Sequence, residues 1–306
     1  MSALTGDRPA LRDAASGVTL TRLAPVAVAA MALAALVQRA SFGDYEQDAG
    51  PALRALIHGH VGRALGEQPL MGSFAVLARA PFALLASLAG AGETGIYRAG
   101  TAACALALAA LSVHLARRSD RRAWAPALPL IVLLNPASLS AVQSGHPEEL
   151  LAAALLVAAL LAVDRSIVVS GLLLGLAVAT KQWAVLGIGP ALWLVPAGRR
   201  MLAAATAAGT AFLLTLPLLL GSASAFSATS HQAATAPTTT GRATVWFLFA
   251  RHTTFHVHVP AGMRSTVSIA TVPEWVARGS HPAIVILPLL VTLLLWRHKP
   301  TLTDAL

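Results

Sequence analysis

From Ala123 to Gly198 the chain runs for 76 almost wholly apolar residues. The only charges there are Glu148 and Glu149 in Gly145-His146-Pro147-Glu148-Glu149, the pair Asp164-Arg165, and Lys181. A charge within hydrocarbon, or at its edge, is costly unless it is paired or faces a wet cavity, so each marks a candidate site. Carboxylates at such a boundary can take a proton from a hydroxyl, and an ammonium can meet developing phosphate charge. Lys181 is one of two lysines in a chain with 20 arginines. A second acidic group, Asp44 and Asp48 in Ser41-Phe42-Gly43-Asp44-Tyr45-Glu46-Gln47-Asp48, directly follows the first long apolar run.

The composition says what must carry these residues. With 56% hydrophobic and 11% charged residues and a mean hydropathy of +0.69, the chain departs from soluble domains, which are about one quarter charged. The expected class is all-α: a polytopic transmembrane helical bundle of about eight or nine membrane segments, forming one integral membrane domain over residues 1–306. The net charge of +9 comes from short basic clusters between apolar runs rather than from one polar stripe, so it predicts membrane topology and no nucleic-acid partner. The single cysteine, Cys104, lies in an apolar run and excludes an internal disulfide.

Apolar runs fall near Val18 to Val37, Phe74 to Ala91, Ile96 to Ala116, Trp124 to Val142, Pro147 to Val163, Ile167 to Trp183, Ala184 to Ala197, Met201 to Leu220 and Pro282 to Trp296. Basic residues in short loops mark the cytoplasmic side. The cluster Arg117 to Arg122, the pairs Asp164-Arg165 and Arg199-Arg200, and Arg297-His298-Lys299 all agree if both termini are cytoplasmic and the run from Phe74 to Ala91 is re-entrant. Two extracytoplasmic loops result, 39–95 and 222–281, with the turn from Gly145 to Glu149 and the neighbourhood of Lys181 on the same face. The predicted location is the cell membrane, multi-pass, with membrane lipid as surroundings. The Ser/Thr/Ala-rich stretch from Ser222 to Thr240 reads as flexible.

No phosphate loop, Gly-x-Gly-x-x-Gly, His-Glu-x-x-His or Gly-x-Ser-x-Gly occurs, so nucleotide hydrolysis, zinc proteolysis and serine-elbow chemistry lack their usual parts. A first span followed by an outer loop that begins Gly43-Asp44 resembles the polyprenol-phosphate-sugar-dependent membrane glycosyltransferases of the GT-C fold. The series Asn135-Pro136, Gly145-His146-Pro147-Glu148-Glu149-Leu150, Ser170-Gly171 to Gly175-Leu176-Ala177, Thr180-Lys181 and Arg199-Arg200 is similar to glycosyltransferase family 87, its mannosyltransferase-like branch. The likeness covers about residues 40–200. It implies a polyprenyl-phosphate sugar donor, a glycolipid or glycan acceptor, and transfer at the extracytoplasmic face; no cofactor and no bound metal are expected, with an acceptor-binding or metal role open for His146 and the two acids. It further implies Asp44 as base with Asp48 second, and Lys181 as the phosphate partner, with His146, Glu148, Glu149, Arg79 and Arg251 assisting in substrate binding.

Each of these residues also has a plainer reading. Asp44 can be a solvated loop acid or a helix cap, and Lys181 can snorkel to the interface. Acids after Pro147 complement the dipole of a helix that starts there. Gly171-x-x-x-Gly175 is a close-packing face without chemistry. His58-x-His60 and His252-x-x-x-His256-x-His258 keep open an alternative: a transporter or metal-binding membrane protein without transferase activity. An inactive scaffold relative is the third reading.

Overall fold

The computed structural model describes residues 26, 28–30, 32–33, 45–46, 48–67, 72–118, 127–234, 239–240, 249–258 and 264–295. Asp44, most of the first apolar run and the basic cluster at Arg297 lie outside them.

The described residues are mostly helical, as the composition requires. Helices α1 (Ala49–Ile57) and α2 (Val61–Glu67) precede α3 (Ser73–Leu88) and the long α4 (Glu93–Arg118). Then come α5 (Leu128–Leu133), α6 (Pro136–Gln143), α7 (Glu148–Ala162), α8 (Ile167–Thr180), α9 (Ile188–Leu194), α10 (Arg200–Gly221) and α11 (Ala223–Ala234). Strands β1 (Thr239–Thr240), β2 (Arg251–His258) and β3 (Arg264–Thr271) lead to α12 (Glu274–Leu295).

Two described segments, Glu93–Arg117 and Ala197–Gly221, are long and apolar enough to cross a membrane. At about 1.5 Å per residue, the 26 residues of α4 extend past a hydrocarbon layer of ~30 Å. The 16 residues of α3, with Pro81 inside, fall just short of the ~17 needed, and its 14- and 15-residue neighbours α8 and α7 are shorter still. The expected number of spans therefore exceeds the helices that meet the length by themselves.

Small residues let the helices approach closely. A Cβ added at Gly171 would stand 2.8 Å from Thr206 Cβ, and one at Gly175 would stand 2.5 Å from the Ala207 carbonyl oxygen. The Gly-x-x-x-Gly face of α8 thus sits directly on the backbone of α10. Ser170 on α8 donates to the Ala159 carbonyl of α7 at 2.8 Å, which fixes the opposite flank.

The main core joins Val26, Ala29, Ala30 and Leu33 of the first apolar run to Tyr45, Leu53, Val76, Tyr97, Ala105, Leu133 and Val142. The spacing of those first four residues is that of one helix face, and the described residues there are helical. Large apolar side chains are also exposed in continuous patches, including Leu85 and Leu88 on α3, Phe212, Leu213 and Leu220 on α10, and Leu287, Leu290, Leu293 and Leu294 on α12.

The stretch after Ser222 differs from the expectation of flexibility. Ser222 accepts from the Ala225 amide at 3.3 Å and opens α11, whose alanines favour a helix. Downstream, the strands form an antiparallel sheet in the order β1-β3-β2, with Arg251 opposite Thr271 and His258 opposite Arg264. Alternating Thr, Val and aromatic residues after Arg251 suit such a strand.

Candidate functional site

Arg79 lies on the face of α3 that also carries Ala75, Val76 and Ala83, all buried, while Leu77, Leu84 and Leu85 face outward. Its guanidinium is fully buried and therefore requires partners. Space for it comes from α4, where a Cβ on Gly100 would approach Arg79 Nε to 3.0 Å. The guanidinium carbon sits 5.0 Å from the centre of the Tyr45 ring and 5.7 Å from that of Tyr97, within cation–π range. The two rings meet edge to face at 4.6 Å, and Tyr97 Oη donates to the Val142 carbonyl at 2.6 Å. These are the only tyrosines in the sequence.

The turn from α6 into α7 supplies the opposite charge. Asn135 caps α6, accepting from the amides of Ala137 at 2.9 Å and Ser138 at 3.0 Å, with Pro136 in the first turn. At the other end, Gly145 takes φ +97°, the His146 amide donates back to Ala141 at 2.8 Å, and the Gly145 amide donates to Val142 at 3.3 Å. This pair of bonds is a Schellman cap, which needs a residue free to adopt left-handed φ. A Cβ at Gly145 would also strike the Tyr45 amide nitrogen at 2.8 Å. The cap thus delivers His146 beside Tyr45 and starts α7 at Glu148, where acids favour the positive end of the helix dipole.

Lys181 ends α8. Its extended backbone (φ −152°, ψ 130°) stops the helix and places a cation at the negative end of the dipole. Gly72, the cap of α3, closes this corner: its amide donates to the Thr180 carbonyl at 3.1 Å, where no larger residue could pass Ala179.

Glu148 is the centre of the resulting cluster and is fully buried. Its Oε1 accepts from Lys181 Nζ at 3.0 Å and lies 3.0 Å from His146 Nδ1, while Oε2 faces Arg79 Nη1 at 3.9 Å. Lys181 also lies 3.3 Å from Glu149 Oε1, and the Trp183 indole donates to the other oxygen of Glu149. Both Glu148 and Lys181 stand at helix ends, outside the two segments long and apolar enough to cross a membrane. Burial works against the Glu148 carboxylate, but the His146 hydrogen bond and the charges of Lys181 and Arg79 outweigh it and hold its pKa well below the usual range. For Lys181, burial pulls the pKa down, while Glu148 and Glu149 more than restore it and leave the ammonium charged.

Five of the residues singled out in the sequence therefore meet: Arg79, His146, Glu148, Glu149 and Lys181. Asp44 is outside the described residues, but its covalent neighbour Tyr45 is packed between Arg79 and Gly145. Asp48 is half-buried at the N-cap of α1. Arg251 is exposed at the start of β2, where its carbonyl accepts from Thr271 at 3.4 Å. Sequence reasoning missed Tyr45, Tyr97, Gly100 and Trp183, although the scarcity of tyrosine and the indole donor two positions after Lys181 were visible. Among the described residues, no group of three or more His, Cys, Asp or Glu is arranged to hold a metal ion.

A comparison with protein families matches residues 72–305 to glycosyltransferase family 87. No curated protein and no solved structure matches the chain. The matched region contains all five members of the charge cluster and every helix from α3 onward, which is most of the chain, and on that ground the chain belongs to glycosyltransferase family 87.

Proposed function

We propose that this protein is a multi-pass membrane glycosyltransferase that moves a sugar, mannose or one like it, from a polyprenyl-phosphate donor to a lipid or glycan acceptor. Transfer takes place at the extracytoplasmic face, and both termini are cytoplasmic. Continuous exposed apolar patches on α3, α10 and α12 support a membrane setting, since a soluble monomer seldom presents so much apolar surface. Helices short of a full span are accommodated by local thinning of the bilayer and snorkelling of flanking residues.

The observation that carries the reading is the convergence on Glu148, at the start of α7, of Arg79 from α3 and Lys181 from α8 in a family 87 chain. Lys181 is the phosphate partner. Among the described residues its ammonium uses two donors on Glu148 and Glu149, and being partly exposed it has a third to present to a donor phosphate. Glu148, Glu149 and His146 hold it in place, and Arg79 steadies Glu148 from behind.

Asp44 is the acceptor base, with Asp48 second. In the reaction the acceptor oxygen attacks the anomeric carbon, its proton passes to the carboxylate, and the bond to phosphate oxygen breaks. The departing polyprenyl phosphate carries the charge that Lys181 stabilises. Arg251, whose side chain is exposed at the start of β2, assists in substrate binding.

The test is transfer of labelled sugar by purified protein in lipid nanodiscs supplied with polyprenyl-phosphate mannose and glycolipid acceptors. Labelled product is expected; its absence with every lipid-linked sugar, from folded protein, refutes the reading.

A further inference from the structure

Helices α1 and α2 form a second polar feature, next to Tyr45. They are joined by another Schellman cap: Gly59 takes φ +75°, the His60 amide donates to Ala55 at 2.8 Å, and the Gly59 amide donates to Leu56 at 3.0 Å. The tight reversal brings His58 and His60, both exposed, to one end of a cleft of about 440 Å³ that is also lined by Pro51, Arg54, Arg63 and Glu67. Arg54 reaches over Gly50, where a Cβ would stand 3.2 Å from its Nη1 and 2.8 Å from the Tyr45 carbonyl oxygen. The cleft thus adjoins the segment that leads out of the first apolar run.

We propose that this cleft binds a phosphate-type oxyanion, with the guanidinium groups of Arg54 and Arg63 as its principal donors and the ring N–H groups of His58 and His60 completing the shell. Two guanidinium forks and two imidazoles around a polar hollow are donors suited to a tetrahedral anion. Each arginine has a carboxylate at present, Arg54 with Glu93 at 3.3 Å and Arg63 with Glu67 at 3.2 Å. All four side chains are substantially exposed, and exposed pairs of this kind are weak enough to yield to a doubly charged ligand that engages both forks. Glu67 lines the cleft itself and competes with the anion. The same chemistry is offered by a lipid headgroup and by free phosphate. The proposal does not depend on the transfer reaction, because binding is read directly.

The experiment uses the full chain purified in detergent and in bilayers. Calorimetry with inorganic phosphate tests the free ion, and native mass spectrometry of protein released from phosphatidylcholine bilayers, with or without phosphatidic acid, tests the headgroup. Binding of either kind is expected, and Arg54→Gln or Arg63→Gln should weaken it about tenfold or more, the loss of a charge-assisted bond. Glu67→Gln should tighten it, an outcome that simple loss of folding cannot imitate. Retention of phosphatidic acid without affinity for inorganic phosphate identifies a headgroup, and the reverse identifies the free ion. The proposal is overturned if neither probe binds, or if binding is indifferent to both arginine variants while Glu67→Gln has no effect.

Discussion

Replacing Glu148 with glutamine keeps the shape of the side chain and removes the one charge on which Lys181, His146 and Arg79 converge. At an effective dielectric of ~20, the 3.0 Å contact with Lys181 is worth about 5 kcal/mol of Coulomb attraction and the 3.9 Å contact with Arg79 about 4 kcal/mol. Desolvation offsets much of this, and breaking one partner out of a buried pair typically costs about 3–5 kcal/mol. We expect a loss in that range for Glu148→Gln. Glu149→Gln should lose only about 1 kcal/mol, because Glu149 is partly exposed and Lys181 keeps its stronger partner. Denaturant titration in mixed micelles reads both values. Lys181→Met combined with Glu148→Gln should cost less than the two separate losses together, since it no longer leaves the ammonium without its nearest carboxylate. The pH dependence has a definite sign. The Glu148 pKa is depressed in the folded state, so its contribution is complete above the unfolded value of about 4.3 and fades as pH falls toward the folded one. The gap between wild type and Glu148→Gln should therefore narrow as pH falls below about 4.3. Equal stability of Glu148→Gln and Glu149→Gln, or strict additivity in the double variant, would refute the assignment of Glu148 as the centre.

Gly175→Val should destabilise the protein by about 3 kcal/mol or more, because its side chain meets Thr210 and the Ala207 carbonyl; the same titration checks it, and Gly209→Ala, with open space around its Cβ, serves as the control. Asp44→Asn should lower transfer by about 10² to 10⁴ while Asp48→Asn has the smaller effect, measured with lipid-linked sugar; an unaffected Asp44→Asn moves the base to Asp48 or Glu148. Reporter fusions at Leu306 and near Thr235 should place the first in the cytoplasm and the second outside, and an external C-terminus would break the proposed topology.

Local signals in the chain were legible where local chemistry decides the structure. Asn135-Pro136 caps a helix, Gly145 turns the chain left-handed into α7, Gly171 and Gly175 seat α8 on α10, and Lys181 ends α8. Rare charges in apolar sequence pointed to Arg79, Glu148, Glu149 and Lys181, which meet because burying a charge demands a partner, and also to Asp164-Arg165, which stands apart from them. The partnerships themselves were not legible. Nothing in the periodicity of α3 says that Arg79 faces Glu148 rather than lipid headgroups, since that depends on Gly100 leaving room on another helix. The two tyrosines escaped notice because aromatic residues at helical spacing are ordinarily core. The sheet is not evident from the histidines of this segment or from Arg251 as a substrate-binding cation, although the alternation and β-branched residues from Arg251 to His258 fit a strand.

The most direct test of the account is Lys181→Met in the transfer assay. Methionine retains the apolar stem and removes the charge, so protein that folds and inserts can still be compared with wild type. If Lys181 meets the donor phosphate, kcat/KM for polyprenyl-phosphate sugar should fall by about 10²-fold or more, the loss typical of one donor that stabilises developing charge, and Lys181→Arg should recover part of it. Full turnover by folded Lys181→Met would contradict the account and leave the Glu148 cluster as a structural tie between α3, α7 and α8.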